Sequence, residues 1–108
     1  MPNVKHIVMW NLKGDTDTEK RQAIALLKSS FESLRGLIPG MATLEIGVDV
    51  SKVEYACDVV LYSEFESVEA LNNYAAHPEH LRVKKEVGEL RIAKHQVDFL
   101  QTPDNLSA

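Results

Sequence analysis

Between residues 4 and 12 the side chains alternate. Val4, His6, Val8, Trp10 and Leu12 fall on one side, and Lys5, Ile7, Met9 and Asn11 on the other. A period of two is the mark of a β-strand, and apolar groups on both sides mean that neither face suits bulk water. A period near 3.6 follows: Ile24, Leu27, Phe31, Leu34 and Ile38 recur every three or four residues, behind a Thr16–Glu19 pair with capping-box spacing. Gly36, Pro39 and Gly40 predict the end of that helix. Alternation returns over residues 42–50, with Ala42, Leu44, Ile46, Val48 and Val50 set against Thr43, Glu45, Gly47 and Asp49. Residues 51–54 read as a hairpin connection into a third strand over residues 56–65, where Cys57, Val59, Leu61 and Phe65 oppose Ala56, Val60 and Tyr62. Ser67 is placed to cap a second helix carrying Val68, Leu71, Tyr74 and Ala75 on one stripe. Pro78 interrupts it, a further helical stretch bears Leu81, Val83, Val87 and Leu90 and breaks near Gly88, and a last strand runs through Ala93, His95, Val97 and Phe99.

The resulting order, β-α-β-β-α-β, predicts an α+β, ferredoxin-like domain. Right-handed crossovers place both helical segments on one side of a four-stranded antiparallel sheet. The other side is left bare. A patch led by Val8, Trp10 and Leu12 is expected there, too apolar for a monomer. A second copy packed sheet to sheet would cover it, forming a dimeric α+β barrel that could enclose a ligand space between the sheets. The alternative cover, the C-terminal tail, offers little apolar surface beyond Leu106.

Composition narrows the function. A chain of 108 residues with 44% hydrophobic content suits one domain. We expect it over residues 1–100, with a polar, proline-interrupted tail at 101–108. A net charge of −4, with Lys and Arg dispersed among acids, argues against a nucleic-acid partner. The single cysteine, Cys57, excludes an internal disulfide and reads as a small buried filler in a reducing compartment. The N-terminal residues lack a cationic lead followed by a cleavable apolar region, and no apolar run nears the ~20 residues of a membrane span. A cytoplasmic location with no membrane partner is the expectation.

Chemistry concentrates at Tyr74-Ala75-Ala76-His77-Pro78-Glu79-His80, where a phenol and two of the four histidines surround a proline. The helix break lets His80 fold back toward Tyr74, pairing a side chain that titrates near neutrality with a hydroxyl that donates or accepts a hydrogen bond. A plainer reading stands beside it: Tyr74 is a core aromatic, His77 caps a helix and His80 meets solvent. His77 and His80 also have i, i+3 spacing and His6 could add a third ligand, but Pro78 spoils a regular helical face, so neither metal nor cofactor is expected.

The opening Val4-Lys5-His6-Ile7-Val8, the segment from Phe65 to Leu71, the Tyr74-x-x-His77-Pro78-x-His80 motif and the closing Val97-Asp98-Phe99 together resemble the stress-responsive dimeric α/β-barrel (Dabb) family over residues 4 to 100. That resemblance implies a homodimeric barrel, with a role in stress or in binding a small apolar ligand. It extends to a branch of plant polyketide cyclases that close their substrate by aldol chemistry without metal or organic cofactor. Residue by residue, the resemblance implies that His80 is a base, Tyr74 holds the carbonyl oxygen and His6 orients substrate; Val8, Trp10 and His77 are our expected pocket-lining residues. Two departures stand out. The third strand reads Asp58-Val59-Val60 where those cyclases carry another histidine, and Trp10 fills space that a long substrate would need. Two functions follow, a non-catalytic stress or binding dimer and a cofactor-free enzyme acting on a small carbonyl compound through Tyr74 and His80.

Overall fold

The computed structural model describes residues 3–102. Four strands, β1 (Val4–Leu12), β2 (Met41–Val48), β3 (Val59–Phe65) and β4 (Arg91–Leu100), form one antiparallel sheet in the order β2-β3-β1-β4. Helix α1 (Asp17–Glu32) lies between β1 and β2. Helices α2 (Val68–Ala76) and α3 (Pro78–Val87), with a short 3-10 turn over Gly88–Leu90, join β3 to β4. This is the expected ferredoxin-like arrangement.

Local signals place the elements. Thr16 accepts the Glu19 amide at the start of α1 and Ser67 accepts the Ala70 amide at the start of α2, each satisfying a helix-end donor. Helix α1 stops at Glu32, short of the expected apolar stripe, and Leu34 and Ile38 are buried from the turns that follow. The connection between β2 and β3 is also longer than expected. β3 starts only at Val59, and Asp49 accepts the amides of Ser51 and Lys52 within the loop. At Gly40, φ is +79° and a Cβ would stand 2.6 Å from that of Ala70. Only glycine lets α2 settle this close to the turn before β2.

The register settles which face is which, and it reverses one expectation. Val8, Trp10 and Leu12 are not on the bare side. They lie under the helices at 3% exposure or less, in one core with Leu27, Phe31, Leu61, Phe65 and Val83. Trp10 stacks on Phe31 of α1, with ring centroids 5.4 Å apart. The bare face instead carries Lys5, Ile7, Met9 and Asn11 of β1. Val97 and Phe99 of β4 lie beside Ile7 and Lys5, and Val60 and Tyr62 of β3 beside Met9 and Ile7. Both strand faces carry apolar groups, as the alternation implied, but the helices took the face with Val4, Val8, Trp10 and Leu12, leaving outside the one where Ile7 and Met9 alternate with the polar Lys5 and Asn11. Turning the other face inward would bury Lys5 and Asn11 and take Trp10 off Phe31.

The tail expected over residues 101–108 lies outside the described residues from 103 onward, as does Leu106. The described part ends with the Gln101 amide donating to the Asn3 carbonyl, which ties β4 to the start of β1. Among the described residues no helix is long and apolar enough to cross a membrane.

Candidate functional site

Strand β4 sits at the sheet edge, and the helices do not cover it. Between its helix-side residues and α2–α3 opens a cavity of about 580 Å³ whose lining includes His6, Val8, Trp10, Tyr74, His80 and Arg91. The cavity lies within the single chain, between sheet and helices. The space that sequence reasoning placed between two sheets is a different one.

Tyr74 is carried by the last turn of α2, and His80 by the first turn of α3. His77 joins the two helices with an extended backbone, and Pro78 occupies the first position of α3, where a missing amide hydrogen costs nothing. The turn brings the Tyr74 and His80 rings together, centroids 4.2 Å apart and planes inclined by 34°. Phe65 packs on Tyr74 at 5.1 Å, and His6 meets it edge-on at 6.2 Å. Tyr74, His80 and His6 thus share one cavity wall. His77 does not join them, because its Nδ1 turns back to accept the Glu79 amide at 3.0 Å, capping α3 as the plainer reading expected. Among the described residues no group of three or more His, Cys, Asp or Glu is placed to hold a metal ion.

The protonation chemistry follows from these contacts. The Ala75 carbonyl can only accept, so His80 Nδ1, 3.2 Å away, carries the hydrogen and the Nε2 lone pair is left free. Burial lowers the His80 pKa below its ordinary value, the Ala75 hydrogen bond opposes that, and the charges of Lys84 and Arg91, with His6, push it further down. At neutral pH His80 is therefore an uncharged imidazole. Burial drives the Tyr74 phenol in the other direction, well above its ordinary pKa, with Arg91 opposing. Tyr74 stays a neutral O–H donor, and that hydroxyl is buried with no hydrogen-bond partner among the described residues. His6 Nδ1 lies 2.5 Å from Asp98 Oδ1 across the β1–β4 pair, so the carboxylate fixes the ring, while Gln96 donates to the other carboxylate oxygen.

Sequence reasoning missed Asp98, Arg91, Lys84 and Lys94 in this wall. Asp98 is opposite His6 in register, so pairing the first and last strands would have found it. Arg91 carried no such signal. Asp58, noted only as a departure, works elsewhere: its carboxylate accepts from Lys20 Nζ and from the Leu12 amide, each at 2.8 Å, tying α1 to the end of β1.

Known proteins share this architecture. The chain is 35% identical over 86 residues to a stress-response A/B barrel domain-containing protein of Arabidopsis thaliana, a match that covers 77% of this chain and 30% of that protein. The chain therefore spans under a third of that relative. A dimeric protein with ferredoxin-like fold from Bacteroides fragilis superposes with a TM-score of 0.81 at 31% identity, covering 92% of this chain and 96% of that one. The hydroxynitrile lyase of Passiflora edulis shares the fold, with a TM-score of 0.78 at 19% identity over 94% of each chain. A family model matches residues 4–100, and the chain belongs to the stress responsive A/B barrel domain family.

Proposed function

We propose that this protein is a cofactor-free acid/base catalyst acting on a small carbonyl compound in the cavity, working as a cytoplasmic homodimer joined through the bare sheet face. One observation carries the reading: a buried phenol with an unused O–H touches an uncharged imidazole whose free nitrogen needs only a substrate proton. In the proposed step, His80 Nε2 takes a proton from the carbon beside a carbonyl. The electron pair moves onto the carbonyl oxygen, and the Tyr74 O–H stabilises the resulting enolate. His6, braced by Asp98, orients the substrate. The enolate can then add to a second carbonyl, as in an aldol closure. The hydroxynitrile lyase of the same fold extends the comparison to lyase chemistry, at fold level only.

Proton exchange at the α-carbon of phenylacetone in D2O, followed by NMR, tests this without knowledge of the natural substrate. The wild type should accelerate exchange, and His80→Ala and Tyr74→Phe should each lose on the order of 10²-fold or more. Equal rates in wild type and both variants would end the catalytic reading. A second reading, a non-catalytic stress or ligand-binding dimer, is favoured by Tyr74 and His80 packing ring on ring instead of hydrogen bonding. It predicts no exchange in any of the three proteins, with small apolar ligands still entering the cavity.

A further inference from the structure

Charge is distributed unevenly around the cavity. The chain as a whole is acidic, yet Lys84, Arg91 and Lys94 line this one space together with a single acid, Asp98, already engaged by His6 and Gln96. Elsewhere five basic side chains are matched, Lys13 with Glu89, Lys20 with Asp58, Lys28 and Arg35 with Glu32, and Arg82 with Glu79 and Glu86, whereas Lys5, Arg21, Lys52 and Lys85 stand without an ion pair among the described residues, outside the cavity lining. Among the described residues none of the three cavity cations has an ion pair.

Arg91 is the most constrained of them. Strict alternation along β4 would send it to the bare face. The register shifts between Asn11 and Leu12, so that Leu12 opposes Arg91 and Ile92 becomes the extra residue. Since Leu12 points at the helices, the bulge turns Arg91 to the cavity side. Bulges commonly re-aim a side chain beside a functional site. The guanidinium carbon then lies 4.9 Å from the centre of the Trp10 ring and 5.9 Å from that of Phe31, within cation–π reach of both, and among the described residues its N–H groups make no hydrogen bond. A half-buried guanidinium with no carboxylate partner is an uncommon arrangement, and its planar fork matches a carboxylate in two parallel hydrogen bonds.

We infer that the cavity takes a small organic carboxylate with an apolar or aromatic body, its carboxylate seated on Arg91 with Lys84 and Lys94 adding attraction, and its body lying on Leu71, Ala75 and Ile92 beside the Tyr74–His80 pair. The ligand class rests on the cavity being the working site, and it narrows the carbonyl compound proposed above to an acid.

Trp10 is the only tryptophan and lies directly under the guanidinium, so its fluorescence reports occupancy. The probes are 4-phenylbutyrate, its uncharged amide and phenyl phosphate, titrated into wild type, Arg91→Gln, Arg91→Lys and Lys94→Gln. The wild type should bind the acid at least tenfold more tightly than the amide. Arg91→Gln should remove that preference, Arg91→Lys should keep only part of it, and Lys94→Gln should weaken it by less than Arg91→Gln. Equal binding of acid and amide, an acid preference that survives Arg91→Gln, or tighter binding of phenyl phosphate would overturn the carboxylate assignment and leave the cavity reading in place. Failure of every probe to change Trp10 fluorescence would remove both.

Discussion

At the scale of single residues, Tyr74 and His80 each give up stability for a particular protonation state. The Tyr74 hydroxyl is desolvated with no partner among the described residues, a penalty of roughly 1–3 kcal/mol in comparable settings. Tyr74→Phe should therefore leave the midpoint of urea unfolding unchanged or raise stability by about 1 kcal/mol, while lowering activity. A loss of stability would mean that the hydroxyl has a partner after all. His80 has a depressed pKa in the folded state, so the folded protein binds fewer protons here than the unfolded chain. Its contribution is present above the ordinary histidine pKa of about 6.5 and is lost as pH falls through the lowered folded value. Acid titration of unfolding should thus show a drop in stability below about pH 6.5 that is diminished in His80→Asn. Lys84, Arg91, His6 and Tyr74 face the imidazole, and Asp98 is in the same wall, so the slope belongs to the cluster as well as to His80.

At the scale of elements, the position of the site depends on how α2 docks. Gly40 adopts a left-handed φ where an added Cβ would meet Ala70 of α2 at 2.6 Å. Gly40→Ala should cost about 2 kcal/mol in thermal or urea unfolding, and Ala70→Gly in the same chain should recover part of that, because it relieves the clash but not the backbone strain. Complete recovery, or none, would show that one of the two causes is absent. Much of this level was legible in the chain. Thr16, Ser67 and Pro78 mark helix starts by local chemistry, and the Tyr74–His80 approach follows from a proline break between two helical turns. What could not be read is the bulge at Asn11 and Leu12. It depends on pairing β1 with β4, the first strand with the last, and without it Arg91 points the wrong way. The end of α1 is illegible for a related reason: Leu34 and Ile38 keep the helical spacing but are buried from turns.

At the scale of the whole molecule, alternation alone could not assign the two faces of β1, since both are apolar. Polarity decided it, with Val4, Val8, Trp10 and Leu12 filling the core and Ile7 and Met9 left on the bare face between Lys5 and Asn11. The dimer prediction changes accordingly. Ile7→Glu should leave the subunit folded but shift sedimentation toward a monomer, because it places charge on the bare face. Val8→Asp should instead unfold the chain, costing about 3 kcal/mol or more by burying an unpaired carboxylate. A monomeric, well-folded Val8→Asp protein would show that the faces are the other way round. The central claim, that an uncharged His80 acts as base beside a neutral Tyr74 within each subunit, is tested most directly by the pH dependence of α-proton exchange of phenylacetone. The account predicts a rate that rises with pH to a plateau, with an apparent pKa below about 6.5, and that vanishes in His80→Ala. A profile identical in wild type and His80→Ala, or one governed by a group titrating well above neutral pH, would contradict it.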